Sequence, residues 1–140
     1  MNIAIIPARQ GSKRIKGKNI KNFFGKPIIS YVIKEVIKSK IFDYIIVSTD
    51  SSKIKKISEK YGAKVFFKRP KKISNDNAKT QEVIVHSLEW FKKKNVYFKY
   101  VCCIYPTSVM IRSIDLKKSF KIIKNIKWSF VMSAQKYSTQ

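Results

Sequence analysis

The segment from Ala8 to Asn19 combines the residue types that hold phosphate groups. Five of the ten residues from position 9 to position 18 are Arg or Lys, and Ser12 adds a hydroxyl group beside Gly11. Basic side chains and the backbone N–H groups of a glycine-containing loop are the usual ligands of a nucleoside triphosphate. The spacing differs from that of the P-loop, G-x-x-x-x-G-K-S/T. Composition leaves two alternatives open, a solvated basic loop and a patch for any polyanion.

The chain as a whole is strongly basic. Its formal net charge is +23, and its basic residues are 27 lysines and four arginines among 140 residues. Such a charge suits a nucleic-acid partner. A DNA-reading protein more often uses arginine, because the planar guanidinium binds guanine and phosphate with two hydrogen bonds. The excess of lysine favours the composition bias of an AT-rich genome, so we expect that nucleic acid is not the partner.

Strands and helices alternate along the chain and are expected to position the basic loop. Apolar residues recur at helical spacing in four segments between the strands, and these segments predict helices. Caps are expected at Ser51 or Ser52 for the second helix and at Ser113 for the fourth. The first helix, opening near Pro27, has Ile29, Val32, Ile33, Val36 and Ile37 on its apolar face. Five apolar runs predict strands, at residues 3–6, 44–47, 64–67, 100–105 and 128–132.

This alternation predicts an α/β fold, in which a mainly parallel, Rossmann-like sheet carries helices on both faces. We expect residues 1–140 to form one domain. Ligands of such sheets bind at the carboxyl ends of the strands, where the basic loop and residues 48–50 and 105–107 lie. No stretch approaches the roughly 20 apolar residues that span a bilayer. We therefore expect no membrane partner and a cytoplasmic protein, with Cys102 and Cys103 as reduced core residues.

Five further residues have competing interpretations. Asp50 either approaches the nucleotide or a metal ion, or caps the following helix. Asp76 lies among asparagines, where turn chemistry is the commoner reason for an aspartate than metal binding. His86 falls off the apolar face of the third helix and is expected to be solvated. Trp90 and Trp128 are expected to be packing residues.

The sequence P-A-R-Q-G-S-K-R, followed by K-N, resembles the signature of the acylneuraminate cytidylyltransferases. The segments from 100 to 107 and from 137 to 140 are most similar to the pseudaminic acid branch of that family. Together the matching motifs cover essentially the whole chain. Further matches in order and spacing are Phe24-Gly25-Lys26-Pro27, residues 46–50, Tyr61-Gly62-Ala63, Arg69-Pro70 and Tyr105-Pro106-Thr107.

The resemblance implies a nucleotidyltransferase fold and an activity. The implied reaction transfers CMP from CTP to the anomeric hydroxyl of a nonulosonic, sialic-acid-like sugar, in particular pseudaminic acid, and releases pyrophosphate. The implied cofactor is Mg²⁺. Arg9 and Lys18 match the catalytic residues that hold the triphosphate and compensate charge as pyrophosphate departs. Ser12 matches a phosphate contact, and Asn19 a contact near the ribose.

The resemblance also assigns residues to the pocket for the cytosine base, and the chain departs from the family pattern at some positions. Arg69 and Thr80 match positions that line the cytidine pocket, and Pro106 and Thr107 match a turn beside it. Tyr105 stands where the family often has Gln, although the pseudaminic acid branch commonly has Tyr. Residues 109–110 replace a Pro-rich or aromatic segment.

The resemblance finally concerns what lies beyond the chain. The family continues past the position of Gln140 with aspartates for metal and sugar and with a segment that reaches across a dimer. We therefore expect the C-terminal part of the family fold to be absent, the metal ligands to be unassigned, and the complete protein to be a homodimer. Two alternatives are a basic nucleic-acid-binding module and a nucleotide-binding remnant without catalytic activity.

Overall fold

The computed structural model describes residues 1–125 and 127–134. In this part of the chain, the strands are β1 (Asn2–Pro7), β2 (Asn22–Phe23), β3 (Lys26–Pro27), β4 (Tyr44–Ser48) and β5 (Tyr100–Cys103). The helices are α1 (Ile28–Ser39), α2 (Ser52–Lys60), α3 (Thr80–Lys92) and α4 (Ser113–Ile123), with short 3-10 turns at Lys18–Ile20 and Lys71–Ile73. No helix in the described ranges is both long and apolar enough to cross a lipid bilayer.

Strand β1 is the centre of a parallel sheet with the order β4-β1-β5. Ile5 of β1 pairs with Ile46 of β4 on one side and with Cys103 of β5 on the other. The carboxyl ends of the three strands therefore lie along one edge of the sheet. Strands β2 and β3 form a separate antiparallel hairpin between the basic loop and α1.

The side chains of β1 alternate between two apolar clusters, one on each face of the sheet. Ala4 and Ile6 pack with buried residues of α1, α2 and α4. Ile3 and Ile5 pack on the other face against α3, where Phe91 is also buried. Alternation with period two is what a strand buried on both faces requires. The predicted parallel α/β sheet with helices on both faces is confirmed.

An aromatic cluster covers the α3 face of the sheet. The ring centroid of Trp90 lies 5.5 Å from that of Phe66 and 5.6 Å from that of Phe67. This packing is the role predicted for Trp90. The imidazole of His86 lies edge-on against Phe67 at 4.9 Å, and its buried Nδ1 has no hydrogen-bond partner among the described residues. His86 is thus half-buried and only partly solvated, and burial lowers the pKa of its imidazole.

Two of the five predicted strands are not formed. Residues 64–67 make only isolated bridges at the flanks of the segment, Ile46 with Lys64 and Thr49 with Lys68. Phe66 and Phe67 are neighbours that both pack on Trp90, so the backbone departs there from the alternation of a strand. Residues 128–132 form no strand, and Trp128 is 51% exposed. The packing role predicted for Trp128 stays a prediction, because about half of its surface is covered within the described residues.

The helix caps match the sequence in part. Ser51 caps α2, because its hydroxyl accepts a hydrogen bond from the Ile54 N–H. Helix α4 is not capped by Ser113. Its N-cap residue is Arg112, whose N–H donates to the Asp115 carboxylate at 3.1 Å. Ser113 lies inside the first turn, and its N–H donates to Glu35 at 2.6 Å.

Gly62, which follows α2, has a φ of +98° and is the glycine whose replacement we expect to be costly. Side chains of L-residues rarely adopt this conformation, and an added Cβ would lie 2.9 Å from the Cδ1 atom of Ile37. Gly62→Ala should lower the free energy of unfolding by about 1–3 kcal/mol, most of it backbone strain. Urea denaturation of both proteins measures this difference.

Gly11→Ala is the matched control, because Gly11 has no positive φ and a Cβ there would meet its nearest neighbour at an ordinary 3.6 Å. An alanine that fits the native backbone leaves stability unchanged or slightly raises it. Equal losses for Gly62→Ala and Gly11→Ala would contradict the strain argument.

Candidate functional site

A cavity of about 200 Å³ opens at the carboxyl edge of the sheet. It lies between the basic loop after β1, the start of α3 and the segment after β5. Residues from these separate parts of the chain meet here because parallel strands end at the same edge. All eight residues predicted for the site line it, namely Arg9, Ser12, Lys18, Asn19, Arg69, Thr80, Pro106 and Thr107.

Two hydrogen bonds, one part-buried and one exposed, hold the basic loop in place. The side chain of Asn19, only 6% exposed, donates to the Arg9 carbonyl at 2.9 Å. The Gln10 N–H donates to the Asp50 carboxylate at 2.8 Å. Gly17, in the left-handed conformation with φ of 64°, turns the loop into the 3-10 turn that carries Lys18. Asp50 therefore does not cap α2 but anchors the loop, which neither interpretation from the sequence had included.

Arg69 is buried between the end of β4 and the cavity. Its Nε donates to the Ser48 hydroxyl at 3.2 Å, and its Nη2 donates to the Ser48 carbonyl. Burial lowers the pKa of Arg69 to about 10, against the opposing attraction of Asp50. The guanidinium is thus still a cation at neutral pH, and it is fixed by β4. In this structure Arg69 supplies the cavity with a positive charge whose position the sheet determines.

Asp76 crosses to the basic loop and forms ion pairs there. Its carboxylate accepts from the Arg9 guanidinium and lies 3.0 Å from the Lys13 ammonium. The hydrogen bonds from Lys13 and Arg9 hold the pKa of Asp76 below its ordinary range. The turn chemistry predicted for Asp76 belongs instead to Asn75, whose side-chain oxygen accepts the N–H groups of residues 77 and 78. The prediction that Asp76 serves turn chemistry is therefore wrong, because Asn75 makes the turn hydrogen bonds.

A usable signal for Asp76 was present in the composition. The chain has only eight acidic residues against 31 basic ones. An aspartate seven residues after Arg69, in a chain with so few acids, is a candidate partner for a basic loop. Its contact with Arg9 nonetheless joins residues 67 positions apart, and local patterns do not show such contacts.

A pair of hydroxyl groups lines the side of the cavity that α3 and the segment after β5 form. The Thr80 hydroxyl and the Tyr105 phenol lie 2.8 Å apart and share a hydrogen bond. This contact joins the first residue of α3 to the segment after β5, where Pro106 is buried. This contact brings Thr80 next to the segment that carries Pro106 and Thr107.

Clustered metal ligands are absent from the part of the chain that the structure describes. No group of three or more His, Cys, Asp or Glu side chains in that part of the chain could hold a metal ion. Among the described residues that line the cavity, Asp76 alone carries a carboxylate, and it is engaged by Arg9 and Lys13. Mg²⁺ prefers oxygen ligands in a near-octahedral arrangement, and this cavity presents mainly cationic groups.

A parallel α/β sheet with an arginine- and lysine-lined cavity at the carboxyl ends of its strands is the arrangement expected of a nucleotidyltransferase fold. The model of the family described as "Cytidylyltransferase" matches residues 3–140, and the chain therefore belongs to the cytidylyltransferase family. The resemblance that the sequence motifs indicated is confirmed.

Relatives and solved structures agree with this assignment. The chain is 40% identical over 141 residues to a pseudaminic acid cytidylyltransferase of Campylobacter jejuni, which covers 99% of this chain and 61% of the relative. It is 35% identical over 134 residues to an N-acylneuraminate cytidylyltransferase of Escherichia coli, covering 94% of this chain and 30% of the relative. The chain thus spans 61% and 30% of the length of these two relatives.

Among solved structures, the fold matches a CMP:2-keto-3-deoxy-manno-octonic acid synthetase complexed with CTP. The TM-score is 0.74 at 22% identity, and the match covers 89% of this chain and 47% of the other. At this identity the similarity supports the fold, which is the predicted nucleotidyltransferase fold.

Proposed function

We propose that the cavity binds CTP and that the chain is part of an enzyme that transfers CMP to a nonulosonic acid. The observation that carries the proposal is the convergence of three cationic side chains, Arg9, Lys18 and Arg69, on one cavity. Arg69 is fixed by β4, and the loop bearing Arg9 and Lys18 is anchored by Asn19. Fixed cations in a concave site hold a polyphosphate better than cations on a mobile surface loop.

The proposed reaction is attack of the anomeric oxygen of the sugar on the α-phosphorus of CTP. A new oxygen–phosphorus bond forms, the bond to the bridging oxygen of the β-phosphate breaks, and pyrophosphate leaves with that electron pair. The hydroxyl proton is lost to solvent. Arg9 and Lys18 would offset the negative charge that develops on the leaving pyrophosphate, which is the main contribution a protein makes to such a step.

Pseudaminic acid is the sugar that we propose. The support is the 40% identity to a pseudaminic acid cytidylyltransferase over nearly the whole chain, together with Tyr105 at the position where that branch commonly has tyrosine. We propose Mg²⁺ as the cofactor, held mainly by oxygens of the nucleotide phosphates. The homodimer, the cytoplasmic location and the single domain stay predictions.

Isothermal titration with nucleotides tests the binding proposal. We expect CTP to bind more tightly than UTP, because the two bases differ in the hydrogen-bonding groups that Thr80 and its neighbours meet. We also expect CTP to be displaced by CMP but not, at equal phosphate concentration, by duplex DNA. Equal competition by all polyanions would favour the basic patch over a nucleotide site. A second titration series with Mg²⁺ shows whether the metal changes CTP affinity.

A further inference from the structure

The carboxylate of Asp76 forms two ion pairs with the basic loop. It accepts from the Arg9 guanidinium and lies 3.0 Å from the Lys13 ammonium. The side chains of Arg9 and Asp76 are 30% and 35% exposed, so this contact lies partly inside the cavity. Both side chains line the cavity or its rim, and Arg9 is the residue for which a triphosphate contact is predicted.

The contact differs from the other ion pairs of the described residues. The pairs of Lys38 with Glu35, Lys55 with Glu59, and Arg112 with Asp115 join residues three or four positions apart within one element. Asp76 instead reaches the loop from a turn that Asn75 stabilises through its own side chain. The carboxylate is therefore presented to Arg9 and Lys13 by a separate, internally stabilised segment.

A carboxylate and a phosphate use the same hydrogen-bond donors. Both are anionic groups whose oxygens accept from guanidinium and ammonium groups. A triphosphate that takes Arg9 and Lys13 as ligands brings a second anion next to Asp76, and the two anions repel each other at that distance. Binding of a triphosphate is therefore opposed by this repulsion, which favours release of Asp76 from Arg9 and Lys13.

We propose that Asp76 is an internal counter-anion, which holds Arg9 and Lys13 in place in the nucleotide-free chain and is displaced when a polyphosphate binds. Asp76 is thus a positioning residue that sets polyphosphate affinity. The proposal rests on the proposed function only for the identity of the natural ligand. The contact itself is a property of the free chain, and inorganic tripolyphosphate probes it without any base or sugar.

The test compares tripolyphosphate binding to the wild type, Asp76→Asn and Asp115→Asn in Mg²⁺-free buffer. Asp115 is the matched control, since it pairs with Arg112 outside the cavity and its replacement raises the net charge by the same amount. We expect Asp76→Asn to bind tripolyphosphate about 3- to 10-fold more tightly, as expected for removal of a competing charge-assisted contact. Asp115→Asn should match the wild type. Unchanged or weaker binding by Asp76→Asn, or equal gains by both variants, would overturn the proposal.

A measurement on the wild type keeps the test independent of the variant's folding. The ¹³C resonance of the Asp76 carboxyl group titrates in the free chain below the ordinary range of an aspartate, because Lys13 and Arg9 donate to it. Saturation with tripolyphosphate should shift this resonance and move its titration upward. An unchanged resonance would overturn the proposal.

The two proposals fail separately. If the wild type binds CTP no better than other polyanions, but Asp76→Asn binds tripolyphosphate more tightly than Asp115→Asn, the counter-anion stands and the proposed function falls. If CTP is bound specifically and Asp76→Asn shows no gain in tripolyphosphate affinity, the proposed function stands and the counter-anion proposal falls.

Discussion

Lys18→Ala and Arg9→Ala are each expected to weaken CTP binding about 10- to 100-fold. Each variant removes a charge-assisted hydrogen bond to phosphate, worth about 1.5–3 kcal/mol. Both side chains line the cavity, and the loop that carries them is already fastened by Asn19 and Asp50. The loop is therefore already ordered before CTP binds. Removing the side chain saves little conformational entropy, so the lost contact is not compensated. Isothermal titration with CTP measures the loss.

Lys55→Ala and Lys56→Ala are the controls. Both lysines are exposed on α2 and lie outside the cavity that Arg9 and Lys18 line. They act on CTP only through long-range charge, which salt screens within about 10 Å at 0.1 M. We expect them to change CTP affinity less than about twofold, in line with exposed charges in general. Similar losses in all four variants would show that the site assignment is wrong.

Ile33→Ala is expected to have the largest effect on stability, lowering the free energy of unfolding by about 2–5 kcal/mol. Ile33 is 0% exposed and belongs to the cluster in which α1 packs on Ala4 and Ile6 of the central strand. Its truncation removes buried apolar surface and leaves a cavity that the packed sheet cannot fill. Urea denaturation followed by far-UV circular dichroism measures the change.

Ile37→Ala on the same helix is the control, because Ile37 is 41% exposed. Its truncation removes a side chain that stays partly in water, and we expect a loss of less than about 1 kcal/mol. A loss for Ile37→Ala as large as that for Ile33→Ala would contradict the burial argument. The sequence pattern placed both residues on the apolar face, and only the structure separates them.

The strands that flank β1 were predicted correctly because each contains an apolar run that pairs in register with it, although β5 is less buried than β4. Residues 65–67 are also apolar, but two successive phenylalanines both pack on Trp90, so their side chains do not alternate as in a strand. Residues 128–132 have strand-like composition and no strand partner in the described part of the chain. A strand needs a hydrogen-bonding neighbour, and the sequence of the segment alone does not show whether such a neighbour is present.

The eight site residues could be selected from the sequence because a family motif and the strand-end rule both point to one edge of the sheet. Their neighbours could not be selected in the same way. Asp50 and Asp76 reach the basic loop across 40 and 67 positions of the chain. Such contacts follow from the order of the strands in the sheet. The local sequence pattern instead assigned each aspartate to the nearest turn or helix.

The anchored loop has a consequence for the thermodynamics of ligand capture. Because the Arg9 carbonyl is held by Asn19 and the Gln10 amide by Asp50 before any ligand arrives, the backbone of this segment has little conformational entropy left to lose. Capture of a polyphosphate should then show a small heat-capacity change and a small entropic penalty, unlike a segment that folds as it binds. Releasing the Asn19 contact would move that ordering into the binding step, where it would appear as a less favourable entropy.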